Sequence, residues 1–219
     1  MAGDEFDWVA WRREARRSLI DARRGLAETD RRARNAAIDA HLRDGFAALG
    51  GLSVGFCWPF GGEPEPRFAV RRWREAGSRA ALPVVIAARS PLEFREWWPG
   101  VSMVPGVYGI PHPADTAAVL PAAAVVPVNG FDAAGYRLGY GGGYFDRTLA
   151  ALPHRPVTVG LGYEIARIRT IHPRPHDVAF DFMVTEAGIG ARTDRGLEAV
   201  APAEADRRVR AIVAERGLG

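Results

Sequence analysis

Apolar and polar positions change rhythm several times along this chain of 219 residues. Trp8, Trp11, Ala15, Leu19, Ala22 and Leu26 recur at spacings of three and four, with arginines filling the other faces. That rhythm predicts an amphipathic helix. A second helical pattern, RRARNAAIDAHLRDGFAAL, would be capped by Thr29 or Asp30 and end near Gly50-Gly51. Short apolar runs then take over. SVGFCW (53–58), ALPVVIAA (81–88), AAAVVPV (122–128), RPVTVGLGY (155–163) and DFMVTEAG (181–188) read as strands, with a helix over RFAVRRWREAG after the first. The runs at 84–87, 124–128 and 157–161 lack clean alternation, as expected of strands covered on both faces. Strands alternating with helices predict an α/β fold: a single three-layer domain with a largely parallel sheet flanked by helices, Rossmann-like, with long N-terminal helices. One catalytic domain over 1–219 is expected, with about 190–219 a charged C-terminal helical extension whose face is solvated.

Composition narrows the class. Hydrophobic residues are 47% and charged residues 25%, the balance of a globular chain rather than a disordered one. No apolar run has the length of a membrane span. The opening MAGDEFDWVAW lacks the basic-then-apolar layout of a secretory leader. The single cysteine, Cys57, forbids an internal disulfide, so a cytoplasmic location is expected. All 29 basic residues other than histidine are arginine. A phosphate clamp here must therefore use arginine's planar fork or backbone N–H groups. The arginines are balanced by 26 acids, and no nucleic-acid module stands out, so neither nucleic acid nor membrane is an expected partner.

RLGYGGGYFDR (137–147) follows the buried strand at 122–128 and opens a helix, YFDRTLAAL. In α/β sheets, ligands bind beyond the C-terminal ends of strands. Gly141, Gly142 and Gly143 can reach positive φ and carry no Cβ, so their N–H groups can converge on an anion. The helix start favours negative charge as well. Asp146 beside a phosphate would repel it unless a divalent cation lies between them, and Mg²⁺ takes one or two carboxylates plus phosphate oxygens. The loop is neither a Walker A motif nor a dinucleotide fingerprint in its usual setting.

PVNGFDAAGYRLGYGGGYFDRTL (127–149) resembles the signature of the 5-formyltetrahydrofolate cyclo-ligases, also called 5,10-methenyltetrahydrofolate synthetases. FCWPFGGEPE (56–65), YGIPHP (108–113) and HDVAFDFMVTE (176–186) are similar to further family segments, in the same order, over roughly residues 10–188. The resemblance implies an enzyme that uses ATP and Mg²⁺ to close 5-formyltetrahydrofolate into 5,10-methenyltetrahydrofolate. It implies ATP contacts at Arg12, Arg13, Glu14, Ala15 and Arg16, and along Arg137, Leu138, Gly139, Tyr140, Gly141, Gly142, Gly143, Tyr144 and Phe145. Arg137 and Tyr144 are the catalytic candidates it implies. The reduced folate would meet Trp58, Glu63 and Tyr108 and the run from Tyr140 to Tyr144, the Glu63 carboxylate suiting the pterin's donor pair. Asp146 matches a magnesium ligand and Asp181 a second carboxylate near it, with Asp177 the contender in the same segment.

Three departures from the family pattern stand out: Phe145 replaces the second tyrosine of the usual pair, Arg12 stands where lysine is common, and YEIARI (163–168) lacks a glutamine. Trp8 and Trp11 are read as core, Trp97 and Trp98 as packing, and Cys57 as a small buried hydrophobe. His112, His172 and His176 lack zinc-site spacing. A monomer is expected. A related ATP-using enzyme acting on another formyl or amide substrate, or a non-catalytic nucleotide- or RNA-binding protein of the same fold, are the competing readings.

Overall fold

A computed structural model describes residues 6–219, so the leader reading of the first five residues lies outside the described part. Helix α1 (Trp8–Arg24) starts where the Asp7 side chain accepts from the N–H groups of Val9 and Ala10 at 3.0 and 2.9 Å. That bond pair satisfies two of the four donors a helix start leaves open. Helix α2 (Glu28–Gly45) begins a residue or two before the expected caps, and no side chain caps it.

The strands are β1 (Ser53–Phe56), β2 (Arg79–Val84), β3 (Glu93–Trp97), β4 (Met103–Pro105), β5 (Pro111–Pro113), β6 (Ala123–Pro127), β7 (Gly130–Phe131), β8 (Arg137–Leu138), β9 (Val157–Leu161), β10 (Phe182–Thr185), β11 (Gly188–Thr193) and β12 (Gly196–Val200). Helices α3 (Arg67–Glu75), α4 (Tyr144–Ala151) and α5 (Pro202–Arg216) complete the chain. Eight strands form one sheet in the order β12-β11-β10-β9-β6-β1-β2-β3. The five central strands, β10-β9-β6-β1-β2, pair in parallel, and the outer strands pair antiparallel. Counted along the chain, the parallel strands follow the order 2-1-3-4-5. The direction of winding therefore reverses between β1 and β6, and a crevice opens beyond their C-terminal ends.

Strand alternation divides the core. Ala123 and Val125 of β6, with Phe182 and Val184 of β10, face α2, α3 and α5 through Ile38, Leu42, Phe46, Val70 and Val209. Ala124, Val126 and Met183 face the other way, against Leu149 of α4, Phe131 and Phe180. This is the three-layer arrangement expected of the pattern, with both faces of the parallel strands dry.

Several local expectations are corrected. Residues 188–200 form the β11–β12 hairpin, not the start of a helix, and glycines at both turns with Gly190 between them hid its period. Helix α5 is amphipathic, burying Ala205 and Val209 completely while Arg207 and Arg210 stay outside. Strand β3 lies where no strand was expected. Its Trp97 is buried against Phe56 and Trp58, whereas the neighbouring Trp98 is exposed. Trp8 and Trp11 are half-buried and not core: Trp8 lies under the guanidinium groups of Arg12 and Arg174, and Trp11 stands edge-on to His172. Among the described residues, no helix is long and apolar enough to cross a membrane.

Candidate functional site

A cavity of about 900 Å³ opens at the crevice between β1 and β6. That is at the large end for a small-molecule site. Its floor is the C-terminal ends of β2 and β6, including Val84, Val126 and Pro127, and its walls come from four segments.

Helix α1 supplies the first wall. Trp8, Arg12, Arg16, Leu19 and Arg23 follow spacings of four and three, so they share one face. The inward stripe is thus part apolar and part arginine. Arg12 is 5% exposed, and its fork is fully engaged. Nε donates to the Ile171 carbonyl at 3.0 Å, Nη2 to the His172 carbonyl at 2.8 Å, and Nη1 and Nη2 to Asp177 at 3.2 and 2.5 Å. Arg16 is freer: Nε donates to the Gly139 carbonyl at 2.9 Å, and among the described residues its terminal nitrogens make no other hydrogen bond. Burial, then the charge of Arg12, pulls the Arg16 guanidinium below its ordinary pKa, while Asp177 partly offsets this. An anion between the two arginines would relieve both effects. Arg13 and Glu14 are exposed on the opposite face, Glu14 pairing with Arg17, and neither they nor Ala15 line the cavity. The expectation for those three is corrected, because only every third or fourth residue of a helix can face one side.

The glycine loop is the second wall. The β7–β8 ribbon delivers it, and the buried Asp132 holds the ribbon's turn by accepting from the N–H groups of Ala134, Tyr136 and Ile171. Arg137 on β8 is 7% exposed, stacked over Phe180, and donates to the Val178 carbonyl at 2.9 Å and to Asp146 at 3.1 Å. Burial lowers its pKa, and Asp146 counters that. Leu138 and Gly139 lead into the bend. Gly141 and Gly143 take φ of 94° and 64°, where an L side chain would be strained. A Cβ on Gly141 would sit 3.3 Å from the Arg16 guanidinium. Gly143 caps α4, so the N–H groups of its first turn, from Tyr144 onward, face the bend. Gly142 and Tyr140 also line the cavity.

Phe145 is one of the departures from the family pattern. Its ring, which also lines the cavity, packs between the Ala81–Phe94–Val119 cluster and the Leu149 side of the core, apolar side chains that offer a hydroxyl no partner.

Asp146 faces the cavity. Its Oδ1 pairs with Arg137 and accepts, at 3.2 Å, from the Val178 N–H, and among the described residues Oδ2 has no hydrogen-bond partner. Among the described residues, no three or more His, Cys, Asp or Glu side chains are grouped to hold a metal on their own. One open carboxylate oxygen beside an anion cradle is nonetheless the donor set that suits Mg²⁺, whose other ligands are phosphate oxygens and waters. Asp181 is not part of this site. It precedes β10, at the N-terminal edge of the parallel strands and away from the crevice. Arg216 at 2.7 Å, Arg155 at 3.5 Å and the Thr158 N–H and hydroxyl take its carboxylate there. Its contender Asp177 does line the cavity, but it is committed to Arg12.

Burial alone would raise the Asp181 pKa, but the hydrogen bond and charge of Arg216, with Thr158 and Arg155, outweigh it and hold the carboxyl below its ordinary value. A depressed folded pKa stabilises the fold above the unfolded value, and that share is lost as pH falls through the folded one. Asp181→Asn is therefore expected to lower Tm by several degrees at pH 7, with the gap to wild type closing in acid and turnover almost unchanged. Thermal melts across pH, alongside activity, check this.

The third wall is the loop after β1. Cys57, Trp58, Phe60 and Glu63 line it, Trp58 with Arg67 stacked 4.6 Å over its ring. Glu63 is 6% exposed and accepts from the Tyr140 hydroxyl at 2.6 Å and the Phe60 N–H at 3.0 Å. Burial raises its pKa, against the hydrogen bonds from Tyr140 and Phe60 and the charge of Arg23. For a raised value the sign is opposite to Asp181: the contribution is full below the unfolded pKa and lost as pH rises through the folded one. Wild type is thus expected to lose stability relative to Glu63→Gln as pH rises from about 4, the ordinary carboxylate range. Paired denaturant titrations over pH measure it. The fourth wall is the segment between β4 and β5 around Tyr108, which is exposed, has φ of 63° and lines the cavity with His112.

Winding order, crevice, glycine bend and arginine face together define an α/β protein with a cavity at its switch point and one wall of arginine and glycine backbone that could hold an anion. The sequence model of the 5-formyltetrahydrofolate cyclo-ligase family matches residues 9–186, and the chain belongs to that family. It is 28% identical over 183 residues to a 5-formyltetrahydrofolate cyclo-ligase of Mycolicibacterium smegmatis, covering 78% of this chain and 92% of that one. Over 86 residues it is 35% identical to a mitochondrial 5-formyltetrahydrofolate cyclo-ligase of Arabidopsis thaliana, covering 35% of this chain and 31% of the other. The fold matches the 5,10-methenyltetrahydrofolate synthetase of Aquifex aeolicus with a TM-score of 0.71 at 24% identity, covering 87% of this chain and 96% of that one.

Proposed function

We propose that the protein is an ATP- and Mg²⁺-dependent 5-formyltetrahydrofolate cyclo-ligase. The observation that carries this reading is the presence, in the lining of one cavity, of a phosphate-type wall (Arg16, Gly139 to Gly143, and the start of α4) and a buried carboxylate, Glu63, suited to a pterin's paired donors.

The γ-phosphoryl group of ATP passes to the formyl oxygen, a poor leaving group until then. The folate's second nitrogen attacks the activated carbon, phosphate departs with that oxygen, and the nitrogen gives up its proton. The chain's part is positioning and charge neutralisation. Arg16 and the loop N–H groups bind the phosphates. Arg137, fixed between Val178, Asp146 and Phe180, holds the loop's entry and presents its charge to the same region. Tyr144 opens α4 with its ring under Arg147 and borders the point where the two substrates would meet. Glu63 and Trp58 orient the pterin, and Tyr108 closes the mouth. Asp146 Oδ2 would hold the Mg²⁺, which supplies neutralisation of phosphate charge when bound. Arg12 acts indirectly, by holding Asp177 and the 171–172 carbonyls.

Purified protein given 5-formyltetrahydrofolate, ATP and Mg²⁺ is expected to raise the absorbance of the methenyl product in step with phosphate release. ATP binding without product overturns the activity. Phosphate release with another formyl or amide compound, and none with the folate, would reassign the substrate.

A further inference from the structure

We propose that Arg23, which lies behind the cavity wall, is a positioning residue that aims the Glu63 carboxylate through the Tyr140 hydroxyl and so ties the folate wall to the glycine loop. The proposal rests on the cyclo-ligase reading above, in which Glu63 takes the pterin.

Arg23 sits in the last turn of α1 and is 4% exposed. Its fork reaches three separate segments. Nε donates to the Gly61 carbonyl at 3.1 Å, in the loop that carries Glu63. Nη1 donates to Asn129 Oδ1 at 2.7 Å, just past the end of β6. Nη2 donates to the Tyr140 hydroxyl at 3.0 Å, in the glycine loop. A lysine could not serve three such acceptors at fixed angles.

The direction of the chain follows from donor inventory. A guanidinium only donates, so the Tyr140 oxygen must accept from Arg23. The single phenolic proton is then committed to the hydroxyl's other partner, Glu63 Oε1, at 2.6 Å. Burial, then the charge of Glu63, raises the Tyr140 pKa, which keeps that proton in place. Glu63 Oε2 is held by the Phe60 N–H. Each carboxylate oxygen is thus fixed by one protein donor and retains capacity for another. Tyr140 is otherwise half exposed, so without Arg23 its hydroxyl has no second anchor among the described residues.

The groups facing Glu63 are Tyr140 from the glycine loop, Arg23 from α1, and Cys57 and the Phe60 N–H from its own segment. Cys57 is neutral, its thiol pushed well up by burial and then by Glu63. Tyr140 and Arg23 both favour the ionised carboxylate, the form that accepts from a donor pair. Removing either is expected to move the acid limit of folate binding to higher pH.

The test titrates the full chain with 5-formyltetrahydrofolate, reading tryptophan fluorescence from about pH 4, the ordinary carboxylate range, up to about pH 8. Tyr140→Phe and Arg23→Met are each expected to weaken binding by about tenfold at pH 7, the scale of a hydrogen bond to a charged group. Each should shift the acid limit upward, and the double variant should be no weaker than the weaker single. In a Glu63→Gln background, Arg23→Met should change the folate Kd little. A merely structural arginine would weaken binding in both backgrounds and leave the acid limit in place, and that result overturns the proposal, as do multiplying losses in the double variant. If Arg23→Met fails to fold, Arg23→Lys decides: it keeps the charge but cannot serve the three acceptors at fixed angles, so it should weaken binding and shift the acid limit, and an unshifted Arg23→Lys overturns the proposal. Unmodified chain that binds no folate removes the cyclo-ligase reading and this proposal together. Normal binding by the unmodified chain with unshifted variants removes only the proposal.

Discussion

Asp146→Asn is expected to lower kcat/KM for Mg-ATP by about 10²-fold or more, the scale of losing one preorganised charge contact in a transition state. Tm should fall by only about 2–4 °C, the equivalent of about 1 kcal/mol in a domain of this size. The contrast follows from the two oxygens. Oδ1 makes the protein contacts, to Arg137 and the Val178 N–H, and an asparagine carbonyl can accept both. What is lost there is the difference between a charged and a neutral acceptor. Among the described residues Oδ2 has no hydrogen-bond partner, and in asparagine it becomes an NH₂ group that repels a cation. The site would lose its one open carboxylate oxygen while the fold keeps its hydrogen bonds. Steady-state kinetics over Mg²⁺ concentration, with melts of the same preparations, separate the two effects. Proportionate losses of activity and stability would make Asp146 a structural aspartate.

Arg12→Ala is expected to have the largest effect on stability, about 3 kcal/mol, because it leaves a buried carboxylate without its partner. The side chains of Arg12 and Asp177 are 6% and 8% exposed. At about 2–4 °C per kcal/mol, Tm should drop by about 6–12 °C. Burial alone would raise the Asp177 pKa. The hydrogen bond from Arg12, with the Arg174 N–H and Arg12's charge, overrides it and holds the carboxyl below its ordinary value. The pair's contribution is therefore present above the unfolded carboxylate pKa and is lost as pH falls through the folded one. The wild-type advantage should shrink on acidification, which melts at several pH values will show. Activity should fall as well, because residues 171–178 carry the Val178 groups that hold Arg137 and Asp146. Arg12→Lys keeps the charge but not the fork that serves Asp177 and two carbonyls, so its loss should lie between wild type and Arg12→Ala. An Arg12→Lys variant as stable as wild type would show that charge alone matters at this position.

Strand-forming runs were legible because burial on both faces writes a local pattern, and all five central strands begin within two residues of where the apolar runs place them. Of these, β2 begins two residues early, its first residue, Arg79, pairing at the sheet's end with Ser53. Strand β3 was missed because EFREW carries three charged or half-exposed positions on an antiparallel strand near the edge, where one face meets water. The β11–β12 hairpin was missed because glycine interrupts its alternation. At the site, the glycine loop and Asp146 were legible as a local string. Arg23 was not: it is one arginine among several in α1, and nothing nearby distinguishes it from Arg24.

Local order in the chain determined what a local string can carry. It set the helical and strand periods, the backbone freedom of Gly141 and Gly143, the carboxylate placed after them, and the arginine-only choice of cation. Tertiary structure decided which of these groups meet. HDVAFD offers two aspartates four residues apart, chemically alike on paper. The path of the chain sends Asp177 to Arg12 beside the crevice and Asp181 to Arg216 at the opposite edge of the strands. It likewise turns Arg12, Arg16 and Arg23 inward from a helix whose other arginines face water. The physical reason is that an ionisable side chain takes its role from burial and from partners far away in sequence, and Arg12 lies 165 residues from Asp177.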